Sequence, residues 1–131
     1  MGSLKYDLTS VTNLIETEEH FEKKAILLAE EIKKNNIWTV PIAVEINTNA
    51  IMDGHHRFNA AKILGLRRVP CVFLSYLKDE VFLRSWSKNE DITIDEFFEV
   101  IKQNKKFPPK TTRHIFNQKI KEINLPLDFL Y

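Results

Sequence analysis

Ile51-Met52-Asp53-Gly54-His55-His56-Arg57-Phe58, continued by Asn59-Ala60-Ala61-Lys62-Ile63-Leu64, sets a carboxylate, a glycine, two imidazoles and a guanidinium between an apolar run and a helix-like run. The pattern predicts a strand feeding a helix, with the polar chemistry at the joint. Amides at a helix start attract anions, and Arg and His add charge there. A lone Asp-Gly-His reads as a capped helix start. Five such residues in succession after an apolar strand read as a phosphate-binding turn with a carboxylate beside it. His55 and His56 are neighbours, and neighbouring helical residues diverge by about 100°. They suit a shared metal less well than a pair four residues apart.

Outward from this turn, Gly65 ends the helix predicted over 55–64, and Val69 to Leu74 reads as a strand. Upstream, Val40 to Ile46 is rich in β-branched residues and reads as a strand, followed by an Asn47-Thr48-Asn49 turn and a short paired strand over Ala50 to Met52. Strand, helix and strand over this span suggest a small βαβ unit. Phe21, Ala25, Leu28 and Ile32 recur at helical spacing, which predicts a helix over 17–35 with Thr17 as its cap. Lys78 to Trp86 reads as one helix. Thr93-Ile94-Asp95-Glu96 matches a capping box and opens another helix, which Phe107-Pro108-Pro109 breaks. A last helix is expected near Thr111–Arg113, and Asn124 to Tyr131 reads as an apolar strap over the core.

A chain of 131 residues fits one domain over 1–131, of a length that sustains a hydrophobic core. With 44% hydrophobic and 28% charged residues it reads as an ordinary soluble globular chain. The net charge of +1 gives no global field toward nucleic acid or a membrane surface. Cys71, alone in the chain, lies in an apolar run and reads as a buried structural thiol. No run approaches membrane-spanning length and the start carries no signal-peptide pattern, so a reducing cytoplasm is the expected compartment. Charge is segregated: residues 16–31 carry six Glu and two Lys, while residues 102–121 carry seven Lys or Arg and no acid. These are either two solvated faces that attract each other or an acidic catalytic element facing an anion-collecting one. P-loop, Rossmann, His-Glu-x-x-His and paired Cys-x-x-Cys patterns are all lacking, so the usual nucleotide and zinc routes have no support.

Asp53-Gly54-His55-His56-Arg57, with Leu64-Gly65 and Val69-Pro70 behind it, resembles the signature of the free L-serine kinases, in the superfamily of ParB partition proteins and sulfiredoxin. The likeness reaches upstream to Pro41-Ile42-Ala43-Val44 and downstream to Phe107-Pro108-Pro109-Lys110-Thr111-Thr112-Arg113-His114, and so covers nearly the whole chain. ParB proteins tend to carry Gly-Glu-Arg-Arg at this turn, and no helix-turn-helix segment is evident here. Sulfiredoxins carry a nucleophilic cysteine where this chain has His55.

The resemblance implies a compact α/β (α+β) ParB/sulfiredoxin-like domain, a small mixed sheet with flanking helices. It implies phosphoryl transfer from ATP or ADP, with Mg²⁺, to the hydroxyl of free L-serine. Gly54, His55, His56 and Arg57 would hold the donor phosphates, and Asp53 would bind Mg²⁺ or orient the hydroxyl. The family's base is a glutamate on the acidic N-terminal element. Counting back from Pro41-Ile42 favours Glu18, with Glu16 and Glu19 left open because Thr17 stands where the family often has His. Thr111, Thr112, Arg113 and His114 would hold the serine carboxylate or the transferred phosphate; otherwise they form a capped helix start with solvated charges. Trp38 and Trp86 read as core or pocket wall. Two alternatives stand beside this reading: a CTP-type nucleotide-binding regulatory module, and a kinase for another small hydroxylated amine or amino acid.

Overall fold

The structure is a computed structural model and describes residues 5–86 and 91–131. In chain order it forms β1 (Asp7–Ser10), α1 (Glu22–Asn35), β2 (Ile37–Trp38), β3 (Ile42–Glu45), β4 (Ile51–Asp53), α2 (His55–Leu64), β5 (Arg68–Leu74), β6 (Val81–Ser85), α3 (Ile94–Lys102), β7 (Thr112–Phe116) and β8 (Leu125–Pro126). The central sheet has the order β1-β5-β3-β4. β3 runs parallel to β5, while β1 and β4 are antiparallel to their neighbours. The expected βαβ unit is therefore present in altered form. Its parallel pair is β3 and β5, and the crossover between them contains both β4 and α2.

Side-chain alternation along the strands sends residues to two faces. Ile42, Val44, Ile51, Val69 and Cys71 pack with Trp38, Phe58, Leu127 and Leu130 on the α1–α2 side. Ala43, Met52, Val72 and Leu74 pack with Tyr76, Leu83 and Phe97 on the β6–β7 and α3 side. Cys71 is fully buried, and burial pushes its thiol up to about 12. Leu127 and Leu130 cover the first face, so the expected apolar strap is present at the C-terminal end of the chain.

The helix over 55–64 and its Gly65 terminator, at φ 74°, are found as expected. Three other expectations need correction. α1 starts at Glu22, and Thr17 caps nothing: its buried hydroxyl donates to the Ile51 carbonyl at 2.8 Å. Residues 17–19 pair instead with Phe107, whose amide donates to the Thr17 carbonyl and whose carbonyl accepts from Glu19. Within 78–86 the chain forms strand β6 after a short 3-10 turn at Tyr76–Lys78. Buried Val81 and Leu83 alternate there with exposed Phe82 and Arg84, a period of two that outweighs helix propensity. Residues 112–116 form strand β7, paired with β6 from Ser85↔Thr112 to Val81↔Phe116. α3 opens at the Thr93 cap as expected but stops at Lys102, ahead of the prolines, with Asn104 at φ 56° making the turn.

Candidate active site

The site begins where β4 becomes α2. A register shift in the β3–β4 ladder at Ala43/Val44 precedes Asp53, and bulges of this kind re-aim the strand end. Gly54 makes the turn at φ 111°, and a Cβ there would meet the Ile42 Cγ1 at 3.2 Å. Both the backbone angle and the close packing therefore require glycine. No side chain caps α2, so amides of its first turn remain available for an anion. Asp53 lines a cavity with an exposed side chain whose carboxylate is partly desolvated by the protein around it. Burial raises its pKa, against the pull of the Gly54 amide and the Arg57 charge. Burial likewise lowers the pKa of Arg57, and Glu31, Asp53 and Glu122 act in the opposite sense.

A second wall comes from the far ends of the sequence. Glu18 Oε1 accepts the amides of Thr111 at 2.8 Å and Thr112 at 2.7 Å, and the Thr112 hydroxyl at 3.2 Å. Burial raises the Glu18 pKa, and these hydrogen bonds only partly oppose it. The other glutamates of the run behave differently. Glu16 faces away into a pair of ion contacts, with Lys106 at 2.6 Å and Lys62 at 3.0 Å. Glu19 is exposed at the cavity margin.

The two walls enclose one cavity of about 470 Å³, lined by Glu18, Glu19, Asp53, Gly54, His55, His56, Arg57, Thr112, Arg113 and His114. Every residue expected at the site lines it except Thr111, whose amide is engaged by Glu18. The expected helix start at 111–114 is a strand, so no helical amides are free there for a substrate carboxylate. Thr111 and Thr112 instead hold Glu18. Arg113 stays in the cavity with its guanidinium 5.0 Å from the Trp86 ring. Trp86 is cavity wall, whereas Trp38 is buried core and donates its indole N–H to Val40.

His55 and His56 face the chain as acceptors rather than as free donors. Burial brings His55 down to about 4 and lowers His56 as well. His55 Nε2 accepts the Thr17 amide at 3.1 Å and His56 Nε2 accepts the Phe21 amide at 3.1 Å. His114 is also buried, brought down to about 3, and shares a 2.7 Å hydrogen bond with the Tyr76 hydroxyl. The positive charge of the cavity comes from Arg57 and Arg113 and from two residues that sequence reading did not single out, Lys24 and Lys110. Lys110 lies inside the 107–114 motif and was in principle findable. Lys24, on the first turn of α1, gave no signal. Leu28, Val40, Pro41 and Met52 supply an apolar side to the cavity.

No family model matches the chain. It is 34% identical over 83 residues to an ATP-dependent L-serine kinase of Desulfurococcus mucosus, an alignment covering 60% of this chain and 32% of that protein. It is 31% identical over 100 residues to an ATP-dependent L-serine kinase of Staphylothermus marinus, covering 73% of this chain and 40% of that one. A ParB-like protein of Sulfolobus acidocaldarius is 34% identical over 77 residues, covering 57% of this chain and 38% of that protein. The alignments thus span about a third to two fifths of the length of these curated relatives. Among solved structures, a free serine kinase in complex with AMP superposes with a TM-score of 0.88 at 16% identity, over 100% of this chain and 95% of that one. This is the free serine kinase fold. A C-terminally truncated SbnI from Staphylococcus aureus shares it with a TM-score of 0.83 at 12% identity, over 95% of this chain and 88% of that one. Both the sequence likeness and the fold likeness include proteins named as serine kinases, as the Asp53–Arg57 turn and the 107–114 segment lead one to expect. No described helix is long and apolar enough to cross a membrane.

Proposed function

We propose that this chain is a kinase domain that transfers the terminal phosphoryl group of ATP or ADP to the hydroxyl of free L-serine. The observation that carries this reading is the placement of Glu18. Its carboxylate is braced on the Thr111 and Thr112 amides and lines the same cavity as the Asp53–Arg57 turn. Phosphoryl transfer requires positioning, charge neutralisation and a group to orient the nucleophile. The free first-turn amides of α2 and the Arg57, Lys24 and Lys110 side chains hold the donor phosphates. Glu18, its pKa raised toward the range useful to a base, accepts the serine hydroxyl proton. The bond between serine Oγ and the terminal phosphorus forms as the bond from that phosphorus to the bridging oxygen breaks. The products are O-phospho-L-serine and a nucleotide one phosphate shorter.

Arg113 holds the serine carboxylate, with its guanidinium over the Trp86 ring as a cation–π contact. Asp53 suits a divalent cation carried by the nucleotide. Mg²⁺ favours one or two carboxylates together with substrate phosphates over an all-protein cage. Among the described residues no three His, Cys, Asp or Glu side chains form such a cage, and Asp53 offers its carboxylate beside the turn. When bound there, Mg²⁺ would neutralise phosphate charge.

The test is phosphorus NMR on purified protein with Mg²⁺, L-serine and either ATP or ADP. A phosphoserine resonance is expected, and the donor that yields it fixes the donor class. Nucleotide binding without product from L-serine would move the reading to another hydroxylated acceptor or to a regulatory module of the kind the ParB-like relative's name suggests. No binding of either nucleotide would remove the phosphate role of the turn.

A further inference from the structure

Glu18 stands on an irregular segment between the 3-10 turn at Val11–Asn13 and α1, with no helix of its own to hold it. Every second amide of that segment nevertheless has a partner. Ile15 donates to the Asn49 carbonyl at 2.9 Å and Glu19 to the Phe107 carbonyl at 2.8 Å. Between and beyond them, Thr17 donates to His55 Nε2 and Phe21 to His56 Nε2, each at 3.1 Å. The two imidazoles thus take hold of the chain on either side of Glu18. Their divergence of about 100° around α2, unfavourable for one shared metal, lets adjacent residues reach two separated amides.

The chemistry of these contacts fixes the state of the rings. An Nε2 that accepts an amide N–H carries no proton, so the neutral ring bears its proton on Nδ1. A protonated ring would set an N–H against an N–H. The contacts are reinforced locally. The Thr17 hydroxyl donates to Ile51, and the Phe21 ring stacks on His56 at 6.1 Å with 9° between planes.

We propose that His55 and His56 are positioning residues whose Nε2 atoms clasp the Thr17 and Phe21 amides, fixing Glu18 against the Asp53–Gly54 turn, and that neither ring is a ligand of the donor phosphates. The positioning role rests on Glu18 being the base. His56, half-exposed, is the position to vary, because His55 lies inside the core.

His56→Ala is expected to lower kcat by about 10- to 100-fold, the scale of a small misplacement of a reacting group, with the dissociation constant for ATP changed less than about twofold. His56→Gln sets a carboxamide oxygen near the former Nε2 and is expected to recover most of kcat. In a Glu18→Gln background, His56→Ala is expected to have no further effect, because the group it positions is gone. Nitrogen NMR of labelled wild-type protein is expected to show a coupling across the Phe21 N–H···Nε2 bond and a proton on Nδ1 of His56. A rise of about tenfold or more in the ATP dissociation constant for His56→Ala, with kcat unchanged, would overturn the clasp and make the ring a phosphate ligand. Lack of the coupling would overturn it independently of any activity. An active Glu18→Gln would remove the base reading alone; the coupling and the ATP affinity of His56→Ala would still decide whether the clasp exists.

Discussion

The cavity has two walls of opposite construction. One, Asp53 to Arg57, is five consecutive residues at a strand-to-helix joint, shaped by one glycine and the hydrogen bonds of α2. The other joins Glu18 to Thr111 and Thr112, residues 93 and 94 positions apart in sequence. The first wall exists wherever the local turn forms. The second exists only when the whole chain is folded, because its carboxylate is held by amides distant in sequence. In the proposed reaction the first wall, with Lys24 and Lys110, binds the donor and the second takes the proton, and the His55 and His56 contacts to the Thr17 and Phe21 amides join the two. Variants of the two walls should therefore fail in different kinetic parameters.

The largest expected effect is Glu18→Gln. It keeps the shape and can still accept the Thr111 and Thr112 amides, but it removes the base, so kcat should fall by about 10²- to 10⁴-fold with nucleotide affinity nearly unchanged. Rapid-quench kinetics together with calorimetric nucleotide titration would read both. A parallel loss of affinity would break the division between the walls. Arg57→Ala should do the reverse, raising the donor KM by about 10-fold or more through loss of a charge-assisted contact, with a smaller change in kcat. An unchanged donor KM would remove Arg57 from phosphate binding.

Gly54→Ala sharpens the local character of the first wall. The added methyl group meets Ile42 and forces an alanine to φ 111°, which should destabilise the protein by about 1–3 kcal/mol in chemical denaturation. It should also weaken nucleotide binding through the displaced turn. Wild-type stability in this variant would mean that the turn conformation is not demanded by the fold.

The smallest effect concerns Glu16, the acid that faces away from the cavity. Lys106 and Lys62 hold its pKa below the ordinary 4.5 even though burial opposes them. A depressed folded-state pKa contributes stability above the unfolded value, and that contribution is lost as pH falls through the folded one. Glu16→Gln should therefore lower Tm at neutral pH, by about 1 kcal/mol in stability, and the gap from wild type should close as pH falls below 4.5. A gap independent of pH would mean that the pairing contributes nothing. Glu18 behaves in the opposite sense. Its raised pKa means that the folded state binds its proton more readily, so its ionisation lowers stability as pH rises through the window above 4.5. The acid paired with two lysines and the acid proposed as the base sit two residues apart.

What the sequence made legible follows the same division. The α2 turn, its glycine cap, β5 and the Thr93 cap were readable because each rests on neighbours in the chain. The segments of β6 and β7 read locally as helices, whereas each strand is stabilised by the other, through pairs such as Leu83↔His114, and that pairing lies outside any local window. Thr17 looked like a helix cap and is instead buried against Ile51 and His55. The attraction between the acidic and basic segments was visible as composition. Its form, with Glu16 on Lys106 and Glu18 on backbone amides of the 107–114 motif, was not. Lys24 reached the cavity unannounced, because nothing local distinguishes a lysine on a helix's first turn from a solvated one.

The central claim is that donor and acceptor meet between these two walls. The most direct measurement is a structure of the protein with a non-hydrolysable ATP analogue and L-serine bound together. The account predicts the terminal phosphate against the Gly54–Arg57 turn, the serine hydroxyl within about 3 Å of the Glu18 carboxylate, and that hydroxyl in line with the terminal phosphorus. Nucleotide phosphates placed away from the turn, or a serine hydroxyl out of reach of Glu18, would contradict it.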